Sequence, residues 1–281
     1  RGLRKTLPKA LLDDADMIVE GTHSPLPERN YRAPSEIDQR IAELVVNEIP
    51  DGAVLSLGVG TVPFAIASAL ADSDKKDLGC HTGTISDAYR KLYLAGKLTN
   101  ARKEFDTGLS SFNLAMGSAA FYDWLRENPK LFRPDSIDYI HDPARIGKLS
   151  RVISINGGVQ VDLMGQENAE SANGMQLSGI GGQMDFLEGA FRSEGGCGYI
   201  CINSSRLTKD GVRKSNILPF IPGGSTVSAP RTLIEAVATE YGIAHLAGKS
   251  LAERREAMIA IAHPDFRDAL RSEKPDLSRF L

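Results

Sequence analysis

Three stretches carry residue types whose spacing could act on a carbonyl or a phosphate. The first is Ser178-Gly179-Ile180-Gly181-Gly182-Gln183-Met184-Asp185-Phe186, with three glycines in four residues ahead of the helix-like run from Phe186 to Phe191. Glycine permits positive φ and lets another molecule approach bare backbone. The N–H groups that open a helix have no intrahelical partner, so such a loop can bind a phosphate, a carboxylate or the oxyanion formed when an acyl carbonyl is attacked. The second stretch is Leu57-Gly58-Val59-Gly60-Thr61-Val62-Pro63, at the end of an apolar strand and the start of a helix. It is not the dinucleotide fingerprint, because Pro63 stands where the third glycine belongs. The third is Gly79-Cys80-His81-Thr82-Gly83-Thr84-Ile85-Ser86-Asp87, which gathers His81, Thr82, Ser86 and Asp87 at another strand end. Each also has a plain structural reading: glycine turns, Ser86 and Asp87 as helix caps, His81 as a core histidine.

The elements that must position these residues alternate. Helices are expected from Ser35, where Ser35-Glu36-Ile37-Asp38 forms a capping box with Asp in place of Glu, over Pro63–Leu70, Ser86–Ala95 and Ser118–Arg126, and from the full capping box Ser250-Leu251-Ala252-Glu253. Pro264 opens a last helix at the favoured first position. Apolar strand-like runs are expected at Ala53–Val59, Leu78–His81, Phe112–Met116, Arg151–Asn156, Val159–Leu163, Tyr199–Asn203, Ile217–Phe220 and Thr226–Ala229, with Gly157-Gly158 reading as a hairpin turn. Strands that are apolar throughout and alternate with helices predict an α/β fold, a mainly parallel sheet covered by helices on both faces. Residues 1–34, with Pro8, Pro25, Pro27 and Pro34, read as an extended arm holding one strand-like piece at Ala15–Val19, and 35–281 as one α/β unit.

Composition narrows the function classes. A net charge of -3 with dispersed lysines and arginines gives no basic surface for nucleic acid. No apolar run approaches the length of a membrane span, and the first residues lack the apolar core of a signal peptide. Cys197 and Cys201 on one extended run stand roughly 13 Å apart, too far for a disulfide, and no Cys/His cluster suggests zinc. A reducing, cytoplasmic setting without a metal is the expectation.

A longer series of motifs then comes into register. Leu57–Pro63, Met116-Gly117-Ser118, Val161-Asp162-Leu163-Met164-Gly165-Gln166, Ser178–Phe186, Thr239-Glu240-Tyr241-Gly242-Ile243-Ala244, Gly248-Lys249-Ser250 and Ile261-Ala262-His263-Pro264-Asp265-Phe266-Arg267 together resemble the acetyl-CoA hydrolase/transferase family, over about residues 11–270. The resemblance implies a CoA-transferase-like C-terminal α/β domain, with 1–34 as the arm from an N-terminal domain supplied elsewhere and the active site between the two. It implies acyl-CoA and a small carboxylate as ligands, an N-terminal domain or partner chain, and an oligomer. It also implies that Gly58, Gly60, His81, Gly179, Gly181 and Gly182 line the site, with the Gly179–Gly182 loop facing the thioester carbonyl.

One departure bears on mechanism. The family's transferases use a glutamate in the segment that here reads His81-Thr82-Gly83, so the carboxylate position is Gly83. Glycine cannot form a covalent intermediate. Asp87, one helical turn further on, is the nearest replacement and could activate water for thioester hydrolysis. Asp162, Glu167 and Glu170 are further carboxylates, while Gln160 can only hydrogen-bond. The expected function is a CoA-transferase or acyl-CoA hydrolase, the alternative a non-catalytic CoA-binding or assembly subunit.

Overall fold

The computed structural model describes residues 32–273 other than Asn173, together with Asp16, Met17, Val19, Gly21 and 24–29 of the segment before them. Of the strand expected at Ala15–Val19, Ala15 and Ile18 lie outside the described residues; Asp16, Met17 and Val19 carry no strand.

The chain runs α1 (Glu36–Glu48), β1 (Val54–Leu57), α2 (Thr61–Asp72), β2 (Gly79–Ile85), α3 (Asp87–Leu94), β3 (Ser110–Ala115), α4 (Ala119–Glu127), β4 (Phe132–Pro134), α5 (Ile137–Ile140), α6 (Pro143–Ile146) and β5 (Val152–Gly157). It continues through α7 (Gln183–Arg192), β6 (Cys197–Cys201), β7 (Ala236–Thr239), β8 (Gly242–His245), α8 (Leu251–Ala260) and α9 (Pro264–Ser272). These eight strands form one sheet in the order β8-β7-β6-β5-β1-β2-β3-β4. Seven run parallel, and β8 alone is antiparallel, folded back on β7.

Side chains alternate across the strands, and helices cover both faces, as the apolar strand runs predict. Leu55, Leu57, Ile153 and Ile155 pack with Ile41 and Val45 of α1, Ile66 and Leu70 of α2, and Tyr89 and Leu92 of α3. On the other face Val54 and Val152 meet Ile140, Ile146, Phe186 and Ala190, while Ile200 and Val237 meet Leu187, Met258 and Ile259. Burial of such large aliphatic side chains, about 1.5–3 kcal/mol each, holds the layers together. Both capping boxes form: Ser35 N donates to Asp38 Oδ2 at 2.9 Å, and Ser250 N to Glu253 Oε2 at 2.8 Å.

Two expectations fail. Gly157-Gly158 is no hairpin, because β5 is filled on both edges by β1 and β6, and residues 160–162 pair instead with Ile217–Leu218 and Glu167–Asn168 in a separate small sheet. Thr226–Ala229 is not a strand; only Ala229 makes an isolated bridge, to Glu167. The described part of the arm lies along the turn before α4: Arg29 N donates to Gly117 O at 3.0 Å, and Tyr122 OH to Pro27 O at 3.0 Å.

Candidate active site

The carboxyl ends of β5, β1, β2 and β3 open into a cleft of about 590 Å³, the edge at which ligands bind in open α/β sheets. Gly58 enters it after β1, Gly83 and Thr84 from β2, Asn113 and Leu114 from β3, and Asn156 from β5. The loop Ser178–Gly182 and the first turn of α7 close the opposite side. All three stretches singled out in the sequence therefore send residues into one space, although Gly60, His81 and Asp87 are not among them. Its lining includes four exposed apolar side chains, Val59, Leu114, Ile137 and Ile180.

The glycines have different reasons to be glycine. Gly58 N donates to Ile155 O at 2.8 Å, and a Cβ there would stand 3.0 Å from that same oxygen. Its amide is thus committed to the sheet, and it offers the cleft only a bare Cα. Gly60 caps α2 at φ +153°, and Gly181 takes φ +61°, both conformations that side chains resist. Gly179 adjoins open space. Gly182 is the N-cap of α7, and a Cβ on it would lie 2.2 Å from His141 Cε1.

That contact exposes a residue sequence reasoning did not single out. His141 closes α5, and its ring is wedged between Gly182 and Gly83, where an added Cβ would meet Nε2 at 2.9 Å. Phe186 packs edge-on against it, with ring centroids 5.0 Å apart. Its Nδ1 lies 3.0 Å from Asp185 Oδ2 and its Nε2 3.2 Å from Asn113 Oδ1. Asp185 stands in the first turn of α7, where the positive helix end favours an anion. It is the one carboxylate among the described residues lining the cleft.

Other expected site residues lie elsewhere. His81 is fully buried on β2, outside the cleft lining, and its Nε2 bonds Ile140 O at 2.9 Å while Nδ1 has no partner. Burial, helped by the nearby Lys103 ammonium, lowers its pKa to about 4. A neutral ring facing a carbonyl must carry its proton on Nε2, so His81 pins the residue just before His141. Asp87 is also outside the lining: Oδ2 accepts from Ser118 N at 2.9 Å and Oδ1 from Ser118 Oγ at 2.7 Å. Gly117 is glycine because a Cβ there would come within 2.4 Å of Asp87 Oδ2.

Asp162 is a turn-former, taking Met164 N and Gln166 N on Oδ1, both at 2.9 Å. Glu170 accepts from the Gln176 side-chain amide at 2.8 Å, and Gln160 Oε1 from Asn168 Nδ2 at 3.4 Å. Glu167 is fully buried behind Gln183, whose amide it accepts, and its Oε1 is unpartnered. Burial raises it to about 8, against the Gln183 bond and with the Glu170 charge adding. Among the described residues no helix is long and apolar enough to cross a membrane, and no cluster of three or more His, Cys, Asp or Glu side chains could hold a metal.

A profile of the acetyl-CoA hydrolase/transferase C-terminal domain matches residues 117–274. The butyryl-CoA:acetate CoA-transferase of Anaerostipes caccae is 43% identical over 260 residues, 92% of this chain and 58% of that protein. The chain belongs to the acetyl-CoA hydrolase/transferase family. An acetyl-CoA hydrolase of Yarrowia lipolytica is 30% identical over 267 residues, 93% of this chain and 48% of that protein. Among solved structures, 4-hydroxybutyrate CoA-transferase from Porphyromonas gingivalis superposes with a TM-score of 0.75 at 34% identity, covering 92% of this chain and 59% of that one. The chain thus spans about half the length of the family members it matches.

The local signal at His141 is the run Ile140-His141-Asp142-Pro143, in which Asp142 caps a helix with Pro143 at its first position. It marks a break between helices. Nothing local to it announces Asp185, which lies 44 residues on.

Proposed function

We propose that this chain forms the thioester-handling part of an enzyme that moves the acyl group of a coenzyme A thioester to a carboxylate or to water. The observation that carries the reading is the convergence of Gly58 and Val59 with the Gly179–Gly182 loop on one cleft at the carboxyl edge of the sheet. A thioester carbonyl placed there faces the first-turn amides of α7, which have no intrahelical acceptor and stabilise the negative oxygen that develops on attack. The apolar side chains of Val59, Leu114, Ile137 and Ile180 suit an acyl chain or the aliphatic part of a pantetheine arm. Gly179, Gly181 and Gly182 are the proposed acyl-binding loop and Gly58 the facing wall, while Gly60 lines a neighbouring hollow with Thr61 and Pro63. Coenzyme A enters as substrate and leaves as product, and no metal is required. A further domain or a partner chain is proposed to supply the remainder of the nucleotide-binding surface.

The test is calorimetric titration of the full protein that carries this chain with acetyl-CoA and butyryl-CoA, followed by thiol release in the presence and absence of acetate. Saturable binding with turnover is expected. Binding without any turnover would favour a non-catalytic subunit, and absence of binding would remove the reading.

A further inference from the structure

We propose that His141 is the general base of a hydrolytic site, positioned by Asp185, and that the acyl group passes to water. This rests on the acyl-CoA reading above and narrows it to one branch.

The imidazole is built into the cleft. Gly83 and Gly182 press on it from two sides, Phe186 supports it from a third, and Asp185 holds Nδ1 at 3.0 Å. A carboxylate on Nδ1–H fixes the tautomer that carries its lone pair on Nε2, the relation between a base and its orienting acid in nucleophilic sites. When Nε2 takes a proton, both ring nitrogens face an acceptor oxygen, Asp185 Oδ2 and Asn113 Oδ1 at 3.2 Å. Each N–H of the ring that general-base catalysis creates thus has an acceptor within hydrogen-bond distance. The competing nucleophile is absent, because Gly83 carries no side chain and the cleft's one carboxylate, among the described residues, is the one bonded to His141.

The step balances without a further reactant. A water gives a proton to Nε2 while its oxygen bonds to the thioester carbon, and the carbonyl electron pair moves to oxygen, facing the α7 amides. The tetrahedral adduct reforms C=O and breaks C–S, and the sulfur leaves with the bonding pair and takes the Nε2 proton. The products are a thiol and a carboxylic acid, which loses its proton to solvent.

The experiment uses the full protein, with acetyl-CoA and butyryl-CoA as probes in a buffer free of carboxylates, reading free thiol for turnover and calorimetry for binding. Thiol release without acetate is expected. His141→Ala should lower kcat by on the order of 10²–10⁴, leave thioester binding unchanged and regain turnover with added imidazole, and His141→Gln should match it should the alanine variant fail to fold. Gly83→Glu, whose side chain takes the space of the ring, should lose hydrolysis and gain acetate-dependent exchange. Release only with acetate, binding without release, or an undiminished rate in folded His141→Gln would overturn the proposal while leaving the acyl-CoA reading in place. Failure to bind either thioester would overturn both.

Discussion

Asp87 and Asp185 are both aspartates in the first turn of a helix, α3 and α7 respectively. Across from Asp87 lies the backbone and hydroxyl of Ser118, and both carboxylate oxygens are taken by that turn. Across from Asp185 lies an imidazole at the mouth of a cleft, with the carboxylate side chain still 40% exposed. The difference teaches that position on a helix says little about an acid's work; its partners decide it. Glu167 is a third case, with one oxygen on Gln183 and the other buried and unpartnered.

This comparison can be broken most forcefully at Asp185. Replacing it by Asn removes the charge that fixes the His141 tautomer, so Asp185→Asn should lower thioester hydrolysis on the order of 10²–10⁴. A positioning role predicts that kcat falls while KM and the melting temperature hold, and a fall in the melting temperature with kcat intact would make Asp185 a second Asp87. A milder probe of the same pair is Gly182→Ala, whose Cβ would stand 2.2 Å from His141 Cε1 and must push the ring aside. Misplacement by about 1 Å can cost about 10² in rate, and steady-state kinetics at unchanged thioester affinity would reveal it.

Glu167 separates burial from function through pH. Its folded pKa of about 8 lies above the ordinary 4.5. The stability it contributes is therefore complete below about 4.5 and is lost as pH rises through 8. Thermal melts across that window should show Glu167→Gln abolishing a decline of about 1 kcal/mol per pH unit, and parallel curves for the two proteins would contradict the assignment. The smallest effect is expected at Asp87. Asp87→Asn keeps one acceptor for Ser118 and loses the other, a cost of about 1 kcal/mol or about 2–4 °C in a domain of this size, with turnover per folded molecule unchanged. A large loss of turnover with the melting temperature intact would return Asp87 to the chemistry.

Much of the frame was legible because its signals are local. The capping boxes at Ser35 and Ser250, Pro264 at a helix start and the apolar runs of β1 and β5 each declare themselves within a few residues. β7 was missed because Ala236-Val237-Ala238-Thr239 is short and alanine-rich, with weak strand propensity, and becomes a strand through burial beside β6. β4 is three residues ending in Pro134 on the sheet edge, where a missing N–H is tolerated. The glycine loops were legible as loops, but the histidine that explains Gly182 was not, since His141, Asn113 and Asp185 converge only when β3, α5 and α7 meet. Asp87 was misleading for the same reason: its partner Ser118 lies 31 residues away.

The contact between Gly83 and the His141 ring has a consequence for what such a site can hold at once. A side chain at position 83 and the imidazole in its present seat lay claim to the same space. On the hydrolytic proposal, a catalytic side chain at position 83 and the base at 141 are therefore alternatives, and one position decides which of them the cleft can hold.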